Sequence, residues 1–399
     1  MTDGPEVPGE VTNLTAAEWT KFWDTGRGPL VPHARAAVLV ALSLMAIGVL
    51  MVYSASSARA GIAYQDSEFF LWRQLTWALL GLATLFFTMR VDHRNLARWA
   101  KPALIVSLVL LLAVLLPGIG HTTKGAQRWF RVGPMSLQPS ELAKLTIVVW
   151  LALHLSRASN VLADWKRGIF PAAGPLALAA LLVIVEPDLG TALYLAAVGA
   201  AMMLVGGVPV KRLALLSLAA VPVILWQVIR RWDLVVHRFS VFGGSSDGEM
   251  NHQVKQSLIA LGAGGLFGEG LGRGTQKLFF LPEVHSDFIF PVIGEELGFL
   301  GAISVILLYV ALGATGWRIM NKTTSPFAHL MAFALTLFIV FQAAFNLMVV
   351  TAMVPNKGIP LPFLSFGGSS LCFTLASIGI LMNISNRSAQ TAAPEPKPK

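Results

Sequence analysis

Ala36-Ala37-Val38-Leu39-Val40-Ala41-Leu42-Ser43-Leu44-Met45-Ala46-Ile47-Gly48-Val49-Leu50-Met51-Val52-Tyr53-Ser54 runs for nineteen residues without a charge. As an α-helix it is about 28 Å long, close to the hydrocarbon thickness of a bilayer. It carries no polar face, so it reads as a membrane span rather than a surface helix. Similar runs follow on its C-terminal side. They are Leu75–Met89, led by the aromatic anchor Phe69-Phe70-Leu71-Trp72, then Pro102–Pro117, Leu142–Leu155 with Lys144 inside it, Ile169–Val185 and Leu189–Val208. Leu213–Ile229, Leu297–Gly316, Phe327–Val350 and Ser370–Ile384 complete the set. The expectation is an all-α polytopic membrane protein of ten transmembrane helices.

Composition agrees. Only 13% of the 399 residues are charged, against roughly 25% in soluble chains. The single cysteine, Cys372, excludes a disulfide within the chain. Residues 1–35 are polar and read as a cytoplasmic tail rather than a cleaved signal peptide, with a short amphipathic helix at Thr12–Trp19. Residues 36–387 form the membrane domain, and the Pro-rich residues 388–399 a second tail.

Ten spans put both termini on one side, and basic residues say which. Arg90, Arg94, Arg98 and Lys101, then Arg157, Lys166 and Arg167, then Lys211 and Arg212, then Arg318 and Lys322 fall on the side of the tails. The positive-inside rule makes that side cytoplasmic. It also accounts for much of the net charge of +9, so no nucleic-acid partner is needed. The Gly118–Leu137 loop, the long Arg230–Phe290 segment and the Thr351–Ser369 loop are then external.

Those external segments hold the unusual residues. Leu281-Pro282-Glu283-Val284-His285-Ser286-Asp287-Phe288-Ile289-Phe290, running on to Glu295-Glu296-Leu297-Gly298, sets carboxylates at a polar-to-apolar boundary, where desolvation is costly. Glu283 and Asp287 are i, i+4 if that stretch is helical. Asp287 reads equally as a helix cap or as a general base. Glu295 and Glu296 read as a bonded structural pair. In Gln138-Pro139-Ser140-Glu141-Leu142-Ala143-Lys144, Pro139 suits a first helical turn, and Glu141 and Lys144 share a face and can pair. Arg128-Trp129 is either an interface anchor or a fork for phosphate. Asp188 is a natural N-cap. The glycine-rich Leu261–Lys277 lacks the strand context of a phosphate loop and reads as close-turning backbone. Asn251–Ala260 before it reads as an amphipathic surface helix. The Pro- and Gly-rich Val354–Ser370, holding Lys357, reads as irregular backbone lining a site, with Asn346 just upstream.

Several pieces together resemble one family: Gly125-Ala126-Gln127-Arg128-Trp129, Gln138–Lys144, Pro187-Asp188-Leu189-Gly190-Thr191, Gln256-Ser257-Leu258, Leu281–Phe290, Gly294–Gly298 and Pro360–Ser370. They resemble, in order and from about Ala36 to Arg387, the SEDS proteins (shape, elongation, division, sporulation). The long N-terminal tail, Thr275-Gln276-Lys277-Leu278 and Asn356-Lys357-Gly358 are similar to the division branch. Phe366 and Asn356 depart from the tyrosine and threonine common there.

The resemblance implies a peptidoglycan glycosyltransferase that polymerises lipid II into glycan strands at the division septum of the cytoplasmic membrane. It implies Asp287 as the catalytic aspartate. Arg128, Glu141, Lys144, Glu283, Lys357 and Ser369 fall on motif positions taken as substrate-binding. It implies a class B penicillin-binding protein, a transpeptidase, as partner, together with divisome regulators. No metal ligand is assigned, though a divalent cation (Mg or Mn) would suit a diphosphate leaving group. Two other readings are a lipid II flippase, which would want a polar path through the bilayer, and a scaffold that only recruits the transpeptidase.

Overall fold

In the computed structural model, residues 31–123, 126–133, 135–158, 160–230, 232, 236, 249–278, 280–281, 284–355 and 357–392 are described. A helix stands at each of the ten expected spans. They are α1 (Pro32–Tyr64), α2 (Phe69–Arg90), α3 (His93–Val114), α4 (Pro139–Arg157), α5 (Phe170–Val185), α6 (Leu189–Val205), α7 (Val210–Arg230), α9 (Ile289–Asn321), α10 (Pro326–Val350) and α11 (Ser369–Ala392). Between α7 and α9 lies α8 (Glu249–Ala263), which covers the expected amphipathic helix. Proline opens α1, α4 and α10 at the first turn, where its missing N–H satisfies nothing anyway. Asp92 caps α3 by accepting from the Arg94 amide at 3.0 Å.

Among the described residues eight helices are long and apolar enough to cross a membrane, one of them being α5 with the π-type turn Trp165–Ile169 that leads into it. The two that fall outside that set are α6, of 17 residues, and α4. For α4 the reason is its polar content, Glu141, Lys144, His154 and Arg157. It packs against α3, α5, α6, α10 and α11, and Ala143, Ile147, Leu151, Ala152 and Leu155 are fully buried. Protein rather than lipid encloses it, so Glu141 and Lys144 are tolerated there. Helix α7 is the opposite case. Its side chains are largely exposed apart from Gln227, which suits a helix whose apolar face meets lipid.

The α2–α11 contact is close because small residues line it. A Cβ on Gly81 would meet Leu375 at 2.5 Å, so the two backbones approach as in small-residue membrane packing. At the other end of these helices Asn383 donates to the Met89 carbonyl at 2.9 Å and accepts from the His93 amide at 3.0 Å.

One expectation is corrected. The chain is not wholly α-helical: a three-stranded antiparallel sheet forms from β1 (His121–Thr123), β2 (Ala126–Val132) and β3 (Met135–Leu137). Val132 pairs with Met135, inside a segment read as loop. Helix α1 begins at Pro32 and α11 continues to Ala392. Residues 1–30 and 393–399, including the expected helix at Thr12–Trp19, lie outside the described residues.

The glycine-rich segment packs on α9. The amides of Glu269 and Gly270 donate to the Glu295 and Glu296 carbonyls at 2.9 and 3.0 Å. Gly268 (φ 81) and Gly298 (φ 68) both occupy the left-handed region where the segment meets the kink in α9. Glu295 and Glu296 are the structural pair expected. Glu296 takes Lys277 at 2.6 Å and Ser54 of α1 at 2.7 Å. Glu295 accepts from the amides of Thr275 and Gln276 at 2.7 and 3.0 Å.

Candidate functional site

One end of the helix bundle gathers the β-sheet, the α5–α6 turn, the segment before α9 and the loop before α11. Each contributes to a cleft of about 630 Å³.

The floor is the first turn of α4. Glu141 and Lys144 sit three residues apart and pair at 2.7 Å, 7% and 9% exposed. Lys144 Nζ also lies 3.5 Å from Gln342 Oε1 of α10 and 5.6 Å from the centre of the Tyr194 ring. The Tyr194 hydroxyl donates to the Phe338 carbonyl. A buried pair repays its desolvation only with such added partners. Below it lies a second cavity of about 30 Å³, bordered by Tyr194, Phe338 and Gln342, room for about one water.

One wall carries Asp287. The residue at the N-cap of α9 is Phe288, and Asp287 stands one position before it. The segment is braced from behind. The Phe366 amide donates to the His285 carbonyl at 2.8 Å and Ser365 Oγ to the Ser286 carbonyl at 2.5 Å. The Asn346 amide group donates to the Asp287 carbonyl at 2.9 Å and the Ile359 carbonyl at 2.8 Å. The Asp287 carboxylate itself lies over Gly358: a Cβ there would stand 2.5 Å from Asp287 Oδ2. The irregular backbone expected at Val354–Ser370 thus supports the carboxylate. Glu283 and Asn356 lie outside the described residues, and so does the expected i, i+4 relation of Glu283 to Asp287.

The opposite wall is β2 with the α5–α6 turn. Arg128 Nε donates to the Glu186 carbonyl at 2.8 Å, its Nη2 to the Pro187 carbonyl, and its Nη1 lies 3.5 Å from Asp188 Oδ2. Its fork therefore grips the Glu186-Pro187-Asp188 turn, where Pro187 has φ 35. Asp188 is the expected N-cap of α6, accepting from the Thr191 amide at 3.1 Å and hydroxyl at 2.9 Å. Glu186 is fully buried, and its carboxyl oxygens have no hydrogen-bond partner among the described residues. Burial, then the Asp188 charge, push its carboxyl up to about 8, against the pull of Arg128.

The site residues read from the sequence therefore separate. Asp287, Glu141, Lys144 and Arg128 border one cleft. Lys357 runs its stem beside Gly190 at the start of α6, its Cδ 3.4 Å from where a Gly190 Cβ would be. Ser369 is 1% exposed and accepts from the Gln138 amide at 3.2 Å, tying α11 to α4 outside the cleft lining. Reading by sequence missed Arg73, Trp77, Tyr194 and Gln342, all of which border the cleft. Gln342 carried a signal, a polar side chain inside an apolar span. Arg73 was masked by the aromatic run before it.

A divalent cation finds no ready cage. Among the described residues no group of three or more His, Cys, Asp or Glu is placed to hold one. Glu141 is engaged by Lys144, and Asp188 by Arg128 and Thr191.

Residues 34–390 match the FtsW/RodA/SpoVE family, described as cell cycle protein. A probable peptidoglycan glycosyltransferase FtsW of Trichlorobacter lovleyi is 40% identical over 87% of this chain and 92% of its own. The stage V sporulation protein E of Bacillus subtilis is 38% identical over 88% and 96%. Among solved structures, a chain of a peptidoglycan synthase complex that coordinates polymerization and crosslinking superposes with a TM-score of 0.70. It is 27% identical and covers 89% of this chain and 98% of that one. The rod shape determining protein RodA of Thermus thermophilus gives 0.64 at 27% identity, over 88% and 95%.

Proposed function

The chain belongs to the FtsW/RodA/SpoVE family and is a multi-pass membrane peptidoglycan glycosyltransferase, and from that premise we propose that it polymerises lipid II during cell division. The reaction takes place at the outer face of the cytoplasmic membrane, at the septum, with both termini of a ten-span domain in the cytoplasm. The partner is a class B penicillin-binding protein, a reading supported by the likeness to a synthase complex that couples polymerization to crosslinking. Divisome regulators act on the pair.

The observation that carries this reading is the placement of Asp287. Its carboxylate, backed by Gly358, borders the same cleft as the Glu141–Lys144 pair. Asp287 accepts the proton from the 4-hydroxyl of the acceptor GlcNAc. The freed oxygen attacks C1 of the donor MurNAc from the face opposite the leaving group and inverts it. The C1–O bond to the polyprenyl diphosphate breaks as the new one forms. Diphosphate leaves well without protonation, so one base suffices, and cations rather than a second acid stabilise the departing charge. This differs from the paired carboxylates of glycosidases. Lys144 supplies positive charge from the floor of the cleft. Arg128 acts by shaping the wall that it grips. Glu283, Lys357 and Ser369 complete the substrate-binding set, Ser369 through the α4–α11 junction.

The test is polymerisation of purified lipid II by the purified protein with its transpeptidase partner, comparing the wild type with Asp287→Ala. Glycan strands from the wild type and none from the variant are expected. Full synthesis by Asp287→Ala would overturn the general-base role. Lipid II scrambling in liposomes, without polymerisation by the wild type, would favour a flippase instead.

A further inference from the structure

The cleft holds cations of two kinds, those whose donors are taken and those whose donors are open. Arg128 spends its fork on the Glu186 and Pro187 carbonyls and on Asp188, and Lys144 is bound to Glu141. Arg131 stands exposed near the end of the central strand β2, where water screens it. Arg73, on the first turn of α2, is different. It is half-buried and borders the cleft. Its Cζ lies 4.2 Å above the Phe69 ring, and among the described residues its guanidinium makes no hydrogen bond or ion pair. This contact holds the guanidinium over the ring and leaves its donors open.

The position of Arg73 is tied to that of Asp287. Phe70, its neighbour in the same turn, packs on His285 at 4.5 Å and edge-on to Phe366 at 5.2 Å. His285 precedes Asp287 by two residues. Trp77, one turn along α2, also borders the cleft and lies against Gly368. Helix α2 therefore presents an oriented guanidinium into the same space as the base.

We propose that Arg73, held over the Phe69 ring, binds the diphosphate of a polyprenyl-linked sugar in this cleft. The assignment rests on the polymerase reading above and gives the open fork to Arg73 rather than Arg128. Two diphosphates pass through such a site, one on the acceptor and one leaving with the donor lipid. An acceptor contact raises KM when lost, and a leaving-group contact lowers kcat.

The test uses the purified full-length protein in complex with its partner. Polyprenyl diphosphate and polyprenyl alcohol are the probes, with binding followed by native mass spectrometry. Arg73→Ala is expected to weaken diphosphate binding by roughly tenfold to a hundredfold and to leave the alcohol unchanged. Arg73→Lys, which keeps the charge and loses the fork, falls between. Undiminished diphosphate binding by Arg73→Ala overturns the proposal. Steady-state kinetics with lipid II then assign the contact, a raised KM to the acceptor and a lowered kcat to the leaving lipid. Wild-type polymerisation with Arg73→Ala indistinguishable from it overturns this inference alone. Arg73-dependent diphosphate binding with no glycan product from the wild type overturns the polymerase reading instead.

Discussion

The Asn346 side chain donates to two backbone carbonyls at once, that of Asp287 at 2.9 Å and that of Ile359 at 2.8 Å. A single amide on α10 thus holds the segment bearing the base against the loop that backs it. Asn346→Leu leaves both carbonyls without that donor, at about 1–3 kcal/mol for a buried orphaned group. The expected result is a lower unfolding temperature and a kcat for glycan synthesis at least about tenfold lower, because a loosened base no longer meets its proton. Thermal unfolding in detergent and initial polymerisation rates measure the two effects. An unchanged kcat would contradict the bracing role.

Gly358 gives a sharper probe of the same place. A Cβ there would stand 2.5 Å from Asp287 Oδ2, too close for contact without displacement. Gly358→Ala is expected to move the carboxylate and lower kcat by about tenfold to a hundredfold. KM and unfolding temperature should hardly change. A variant with wild-type kcat would show that the carboxylate is free to shift without cost.

The Glu141–Lys144 pair separates stability from chemistry. Removing one member leaves an uncompensated buried charge, a loss of about 3–5 kcal/mol. Lys144→Met or Glu141→Gln alone should therefore destabilise, Lys144→Met the more. The double variant should recover most of the stability, yet stay inactive because the floor of the cleft has lost its positive charge. Recovery of polymerisation by the double variant would make the pair purely structural.

Glu186 sets a pH dependence. Its folded carboxyl is raised to about 8 by burial, with Asp188 adding to the rise, while in the unfolded chain it titrates near the ordinary glutamate value of 4.5. Between those values the unfolded state has lost the proton and the folded state keeps it. Stability is then fully present below the lower value and falls as pH rises towards the upper one, by about 1.4 kcal/mol per pH unit. Glu186→Gln cannot ionise and should flatten that slope. Unfolding temperatures of wild type and variant should be similar near pH 5 and diverge in favour of the variant by pH 8. Parallel curves across that range would refute the buried neutral acid.

Much of the architecture was legible in the sequence because a bilayer is a simple solvent. It demands long apolar helices, and the charge-free run Ala36–Ser54 with its nine successors met helices in every case. Local rules also held where the partner is a near neighbour. Asp188 caps α6, and Glu141 finds Lys144 one turn on. The sheet escaped because its strands are short and pair through a turn that hydropathy does not see.

Tertiary structure alone decided which of the site residues face one another. Sequence left Asp287 balanced between cap and base; the fold brings Gly358, Asn346 and Ser365 from later in the chain to brace the segment that carries it. Sequence offered Arg128 as a phosphate fork; the fold commits that fork to the α5–α6 turn and leaves Arg73 open instead. The physical reason is the same in both cases. Hydropathy and helix periodicity are properties of a residue and its neighbours within a few turns. Whether a donor or a carboxylate is taken depends on groups brought to it from across the bundle.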